Sequence, residues 1–178
     1  MTVIERIHER IEQKNAWSKS ITIKRNAFLT TLGATERNLY YVNSGALRVF
    51  MTEDHTEHTI RFGYKNNFIT ALDSFITSKP SEYGIQALKE TELNVISKPV
   101  FQMLISEDKE LNELWILVLQ ELVVQQMERE KDLLISSPKE RYERVLKRSP
   151  QLFQEVPNKY IASYLRMSPE TLSRLKKS

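Results

Sequence analysis

The stretch VPNKYIASYLRMSPETLSRLKKS, residues 156–178, decides how the chain is read. It carries two short helical patterns with almost nothing between them. Pro157 suits a first helical position, and Tyr160, Ile161, Ala162 and Leu165 form an apolar face. Arg166 and Met167 fill the turn. Ser168 has the side chain of an N-cap, Pro169 follows at the first helical position, and Glu170 lies near the positive end of the next helix. Leu172 and Leu175 are its inward side. A short turn, with the small residue Ala162 where the helices cross, makes a helix-turn-helix pattern.

The charge of the chain is concentrated at this end. From Ser137 onward there are ten Lys and Arg against four Asp and Glu, a net +6, while residues 1–136 have sixteen against nineteen, a net −3. Such asymmetry points to a nucleic-acid-binding tail on a nearly neutral body; a merely solvated basic surface is the alternative. Length and composition fit a globular body with a small appendage. No apolar run is long enough to span a membrane, and the charged N-terminus MTVIERIHERIEQK is not a secretory signal. Cysteine is absent, which removes disulfides, thiolate metal sites and cysteine-ligated iron–sulfur clusters. A reducing cytoplasm is the expected location.

Working back from the tail, Ser137-Pro138-Lys139-Glu140 reads as a capped helix start, and Pro150 ends that helix. Before it, Ser106 is expected to cap a long helix running to about residue 134. Its apolar residues, among them Leu111, Trp115, Val118 and Leu122, cover more than one face. A helix lying on one body needs one stripe. The second stripe is expected to meet another copy of the chain, a helix buried inside a monomer being the alternative, and Leu111, Trp115, Val118 and Leu122 are the candidate dimer contacts. Residues 3–13 form a further short amphipathic helix. Between residues 18 and 98 the stretches SITI, LYYV, ALRVFM, HTIRF, YGIQAL and ELNVIS, separated by turn signals such as Asn43-Ser44-Gly45, read as a β-sandwich or barrel.

The C-terminal stretch resembles the helix-turn-helix of the Crp/Fnr family of bacterial transcription regulators. Ser168-Pro169-Glu170-Thr171-Leu172-Ser173-Arg174 is similar to that family's Ser-x-Glu-Thr-x-x-Arg signature, and Leu39-Tyr40-Tyr41-Val42-Asn43-Ser44-Gly45-Ala46-Leu47 resembles a strand–turn–strand of its effector domain. The resemblance extends over nearly the whole chain. It implies an α+β protein: a jelly-roll-like β-roll (a double-stranded β-helix) at 1–105, a dimerisation helix at 106–136 and a helix-turn-helix domain at 137–178. It implies a homodimer reading double-stranded DNA at a partly palindromic operator, with RNA polymerase as a further partner. By this match Glu170 and Arg174 read base edges, as an acceptor for cytosine and a fork for guanine. The alternative is a surface ion pair four residues apart. Ser168, Thr171, Ser173, Lys176, Lys177 and Arg166 are the phosphate candidates. Two departures stand out. Arg166 occupies the turn position where the family usually has glycine, and the given sequence stops at Ser178, before the family's β-hairpin wing. Both lead to the expectation of a different turn and of modest, salt-sensitive affinity.

In cyclic-nucleotide-binding relatives a Gly-Glu pair takes the ribose and an Arg-Ser pair the phosphate. Thr70-Ala71 and Ser81-Glu82 stand there instead. The arginine is replaced and Glu82 would repel an anion, so no cyclic AMP cofactor is expected. An unknown effector and a filled, ligand-free core remain alternatives. The resemblance gives Phe68, Thr70, Ala71, Phe75, Ser81, Glu82 and Tyr83 as lining residues. Control by a cyclic nucleotide is the second reading, with Arg61 or Lys79 reaching in. A cupin-like metal or small-molecule-binding protein is the reading of another class. His8, His55 and His58 are not spaced as a metal cluster, and no catalytic motif stands out, so neither a metal nor an enzyme is expected. A signal in the roll is expected to tilt a hinge at Ser136-Ser137.

Overall fold

The computed structural model describes residues 1–177. The β-branched and aromatic stretches become antiparallel strands in two four-stranded sheets. They are β1 (Lys19–Ile23), β2 (Phe28–Thr30), β3 (Asn38–Ser44), β4 (Ala46–Glu53), β5 (Thr56–Tyr64), β6 (Phe68–Ile69), β7 (Gly84–Ala87) and β8 (Thr91–Ser97). One sheet has the order β1-β8-β3-β6 and the other β2-β7-β4-β5. The chain therefore changes sheets between β3 and β4 and winds as a roll. Val42, Leu47, Val49, Ile85, Leu93 and Val95 fill the space between the sheets. Gly45 makes the crossing possible: its φ is +100°, which L side chains rarely adopt, and a Cβ would lie 2.3 Å from the Thr91 hydroxyl. The strands β2 and β6 and the helix α2 (Leu72–Thr77) are too short to show a period in the sequence.

Three helices close one side of the roll: α1 (Val3–Gln13), α3 (Lys98–Glu107) and α4 (Lys109–Leu134). Ile7 and Ile11, Phe101 and Leu104, and Leu111 and Leu114 meet Leu39 and Ile96 of the first sheet in a second core. Two expectations are corrected here. Ser106 does not cap the long helix; it lies inside α3, and its hydroxyl donates to the Met103 carbonyl at 2.7 Å. Asp108 is the cap, accepting from the Leu111 N–H at 3.1 Å. Its carboxylate also meets Arg10 Nε at 2.8 Å and Lys14 Nζ at 3.3 Å, so α1 fixes where α4 begins.

The face that α4 turns to the roll also differs from expectation. Leu111 is fully buried, and Trp115 and Val118 pack against the same core, with the Trp115 ring edge-on to Phe101 at 4.8 Å. These expected dimer contacts face the roll, and Leu122 is half-buried beside a cavity. The open face carries Ile116, Leu117, Val123, Val124 and Met127, which are 45–63% exposed.

The C-terminal part comprises α5 (Pro138–Arg148), α6 (Leu152–Glu155), α7 (Asn158–Tyr164) and α8 (Pro169–Leu175). Pro157 precedes α7 as its cap residue instead of starting it. Val145, Leu152, Val156, Ile161, Leu165 and Leu172 form a third core, which rests on Ala46, Phe62 and Tyr64 of the second sheet. Asp132 of α4 has a fully buried side chain that accepts from Arg144 Nε at 3.0 Å and also pairs with Arg148. Among the described residues no helix is long and apolar enough to cross a membrane.

The Asp108 cluster gives a test. Its hydrogen bond from Arg10, then those from Leu111 N–H and Lys14, hold the carboxyl well below the usual carboxylate range. A depressed folded pKa adds stability above the unfolded value of about 3.9, lost as pH falls through the folded value. Asp108→Asn is expected to cost about 1–2 kcal/mol at neutral pH. In urea unfolding, the gap from wild type should narrow as the pH is lowered below about 4.

Candidate nucleic-acid interface

The C-terminal helices are positioned by one buried arginine. Ser137 caps α5, its hydroxyl accepting from the Glu140 N–H at 3.3 Å, which places Arg141 in the first turn. Arg141 is 8% exposed. Its guanidinium donates to four carbonyls: Leu165 at 3.0 Å, Ser136 at 3.1 Å, Arg166 at 3.2 Å and Ile135. These belong to the end of α4 and to the turn between α7 and α8. Ala162, buried at 1% exposure, receives the Met167 N–H at 3.0 Å and closes that turn. Arg166 has φ 53°, the left-handed conformation that glycine takes most easily. The expectation that losing glycine would alter the turn is thus corrected. The arginine adopts the positive φ itself, at a cost of about 1 kcal/mol, and the Arg141 bond to its carbonyl holds it there.

Ser168 caps α8, its hydroxyl accepting from the Thr171 N–H at 3.2 Å. Leu172 is fully buried beneath it. Glu170, Ser173, Arg174 and Lys177 are exposed on the outer side. No ion pair joins Glu170 and Arg174 among the described residues; Arg174 Nη2 lies instead 3.4 Å from the Thr171 hydroxyl. The Glu170 carboxyl is held below its usual range, chiefly by its own backbone N–H and then by Ser168. Thr171 is half-buried, with its hydroxyl 3.1 Å from that of Ser168. Lys176 is exposed but turned back, with Nζ 2.6 Å from Asn158 Oδ1. Arg166 is exposed beside the β4–β5 hairpin, 3.3 Å from His58 Nδ1. Glu170, Ser173, Arg174 and Lys177 therefore share the outer side of α8, Arg166 and Ser168 are exposed in the turn before it, and Thr171 and Lys176 are bonded to neighbouring side chains.

The expected effector residues are not gathered around one cavity. Phase by phase along the chain, Phe75 packs into the core with α1, α3 and α4, whereas Ala71 and Tyr83 belong to the core of the roll. The Thr70 hydroxyl donates to the Asn38 carbonyl at 2.8 Å. Phe68 alone of the set lines the cavity beside α4. Phe75 lies in α2, on the side that packs into that core. Asp73, in the same helix, satisfies the following loop: its carboxylate accepts from the Ser81 hydroxyl at 2.8 Å and the Glu82 N–H at 3.0 Å. Nearby Glu36, 5% exposed, accepts from Thr30, from the N–H groups of Arg37 and Asn38, and from the Tyr40 hydroxyl. Burial and the Glu36 charge push the Tyr40 hydroxyl above its usual range. Among the described residues no group of three His, Asp or Glu side chains is placed to hold a metal.

Residues 20–108 match the family described as cyclic nucleotide-binding domain. A CooA mutant from Carboxydothermus hydrogenoformans is similar in structure, with a TM-score of 0.73 at 18% identity over 89% of this chain and 74% of that one. FixK2 from Bradyrhizobium japonicum has a TM-score of 0.74 at 15% identity, over 89% of this chain and 82% of that one. The c-di-GMP-responsive global regulator CLP from Xanthomonas campestris has 0.72 at 19% identity, over 96% and 90%. At these identities the likeness establishes the fold. No curated protein sequence matches the chain.

Arg141→Ala leaves four carbonyls without their donor. It is expected to lower stability by about 3 kcal/mol. Arg141→Lys should recover only part of this, because an ammonium lacks the planar fork. Urea unfolding measures the loss. Hydrogen exchange should speed up in α7 and α8 while the strands of the roll stay protected.

Proposed function

This chain belongs to the cyclic nucleotide-binding domain family, with structural neighbours among the Crp/Fnr regulators, and from that premise we propose that it is a cytoplasmic DNA-binding transcription regulator acting as a homodimer. The observation that carries the reading is on α8. Glu170 and Arg174 are exposed, four residues apart and not paired with each other, on a helix whose base is fixed by a buried arginine. The guanidinium suits guanine and the carboxylate suits cytosine N4. Ser168, Ser173, Lys177 and Arg166 surround them as phosphate contacts, with Thr171 and Lys176 joining once their internal bonds yield.

The division into 1–105, 106–136 and 137–178 serves as sensor, dimer helix and reader. The dimer contact is the open face of α4 at Ile116, Val123 and Met127, whose spacing of seven and then four residues suits a seam between two helices. Two recognition helices then stand roughly 34 Å apart, one turn of DNA, on a partly palindromic operator. RNA polymerase is the further partner of such a regulator.

The roll does not answer to cyclic AMP in this reading. Asp73 already occupies the loop donors, Glu36 is buried nearby, and Glu82 adds a third negative charge. A phosphate would meet carboxylates where it needs a cation. The control readings remain testable: cyclic AMP dependence of DNA binding would establish the cyclic-nucleotide reading, and bound metal in the purified protein the cupin-like one.

Selection from a random duplex library, with no ligand added, should enrich a palindrome; a library left unenriched with and without cyclic AMP counts against the reader. On the selected site, Arg174→Ala should weaken binding by about 1–3 kcal/mol and relax preference at one base position. Lys177→Ala should weaken all sequences alike and flatten the salt dependence. Val123→Glu should give a monomer in sedimentation and lose palindrome binding, while the fold by circular dichroism is kept.

A further inference from the structure

The β4–β5 hairpin leans on the turn between α7 and α8. Ile60 is an extra residue in β5, where the register jumps from Phe50↔Thr59 to Val49↔Arg61. Beside this bulge the Thr59 N–H donates to Ser163 Oγ of α7 at 3.1 Å. One residue earlier, His58 Nδ1 lies 3.3 Å from Arg166 Nη1. On β4 the buried Arg48 guanidinium lies over the ring of Phe50, at 4.4 Å, and over that of Tyr160 in α7, at 4.3 Å. Of these contacts between the roll and the helix-turn-helix, only the one at His58 involves a side chain that changes charge near neutral pH.

A guanidinium only donates, so His58 Nδ1 is the acceptor and carries no proton. Protonation of Nδ1 sets two donors and two positive charges face to face. The surroundings add to this. Lys159 of α7 lines the same open groove and is a further cation. Glu57 lines it too, but its carboxylate pairs with Arg48. Glu53, Asp54 and His55 are exposed at the hairpin tip. Met51, opposite His58 on β4, is neutral, and the start of α8 brings only Ser168 and Pro169 to the groove.

We propose that His58 is a proton-operated catch: its neutral ring holds Arg166 against the roll, and protonation releases that arginine to a DNA phosphate. The contact is present above the titration range of imidazole and is lost as pH falls through that range, between about 8 and 5. Arg166 is exposed and His58 half-buried, so the bond is a weak one and its loss shifts a balance by a modest factor. The step that involves DNA rests on the reading of α8 as the recognition helix; the catch itself does not.

Two measurements on the full chain test it. The first uses no DNA: hydrogen exchange at the Thr59 amide, followed by NMR and corrected for the intrinsic effect of pH on exchange. Its protection is expected to fall about three- to tenfold between about pH 8 and about pH 5.5. His58→Asn keeps an acceptor but does not titrate, so protection should stay high throughout. His58→Leu has no acceptor and should be low throughout. His55→Asn, at the tip, should follow wild type. The second measures affinity for the selected duplex at fixed salt. Wild type should bind about three- to tenfold more tightly at the acid end, His58→Leu tightly at both ends and His58→Asn weakly at both. The catch is overturned if Thr59 protection in wild type does not change with pH, if His58→Asn keeps the change, or if His55→Asn abolishes it. It is overturned equally if wild type and His58→Leu show the same pH dependence of duplex binding. A library that yields no duplex counts against the reading of α8 alone, and the exchange result then decides the catch.

Discussion

The C-terminal helices of the chain hang on the Arg141 guanidinium. Its acceptors are the carbonyls of Ile135, Ser136, Leu165 and Arg166, at or just beyond the ends of α4 and α7. Helix C-termini leave carbonyls without partners inside the helix and carry partial negative charge. A single buried cation satisfies two such ends at once. This also changes the meaning of Ser136-Ser137, which in the sequence resembles a free hinge. The carbonyls before it are bound, and the Asp132 pairs with Arg144 and Arg148 brace α4 against α5. A change in the angle of the C-terminal helices has to break these bonds together, which makes it a switch between discrete states and not a swivel.

The distribution of charge follows a similar logic on a larger scale. The loop between β6 and β7 is closed by its own Asp73, with Glu36 buried behind it. Positive charge gathers elsewhere: on the inner face of β5 at Arg61, on α4 at Arg129, and on the outer side of α8. The end of the roll that would take an anion in a nucleotide-binding relative is thus the acidic end here. Its cationic donors face the junction with the helices instead.

The sequence made the roll and the order of its parts legible, because β-branched runs and turn residues act locally. Gly45 is an example: the turn signal and the close approach to Thr91 are the same fact. The outer residues of α8 were legible through the motif that Ser168 to Arg174 carry. What escaped depended on partners far away in the chain. Ser106 and Asp108 are both reasonable caps by type, and only Arg10 and Lys14, about a hundred residues earlier, decide for Asp108. Apolar content alone does not tell which stripe of α4 faces the roll, and it is the stripe of Leu111 and Trp115 that does. Arg129, Asp132 and Arg141 look like ordinary solvent-facing charges in their helices, and their burial comes from the docking of α5 and α7.

These constraints make α4 a rod held at both ends. At its start Asp108 and Leu111 lock it to α1 and the roll, and at its finish Asp132 and Arg129 lock it to α5 and α7. Its 26 residues span about 39 Å, and between the two anchors it leaves an apolar face open beside its polar residues. At that far end the same helix meets Tyr164, and the Arg141 bonds join its last carbonyls to the turn that precedes α8.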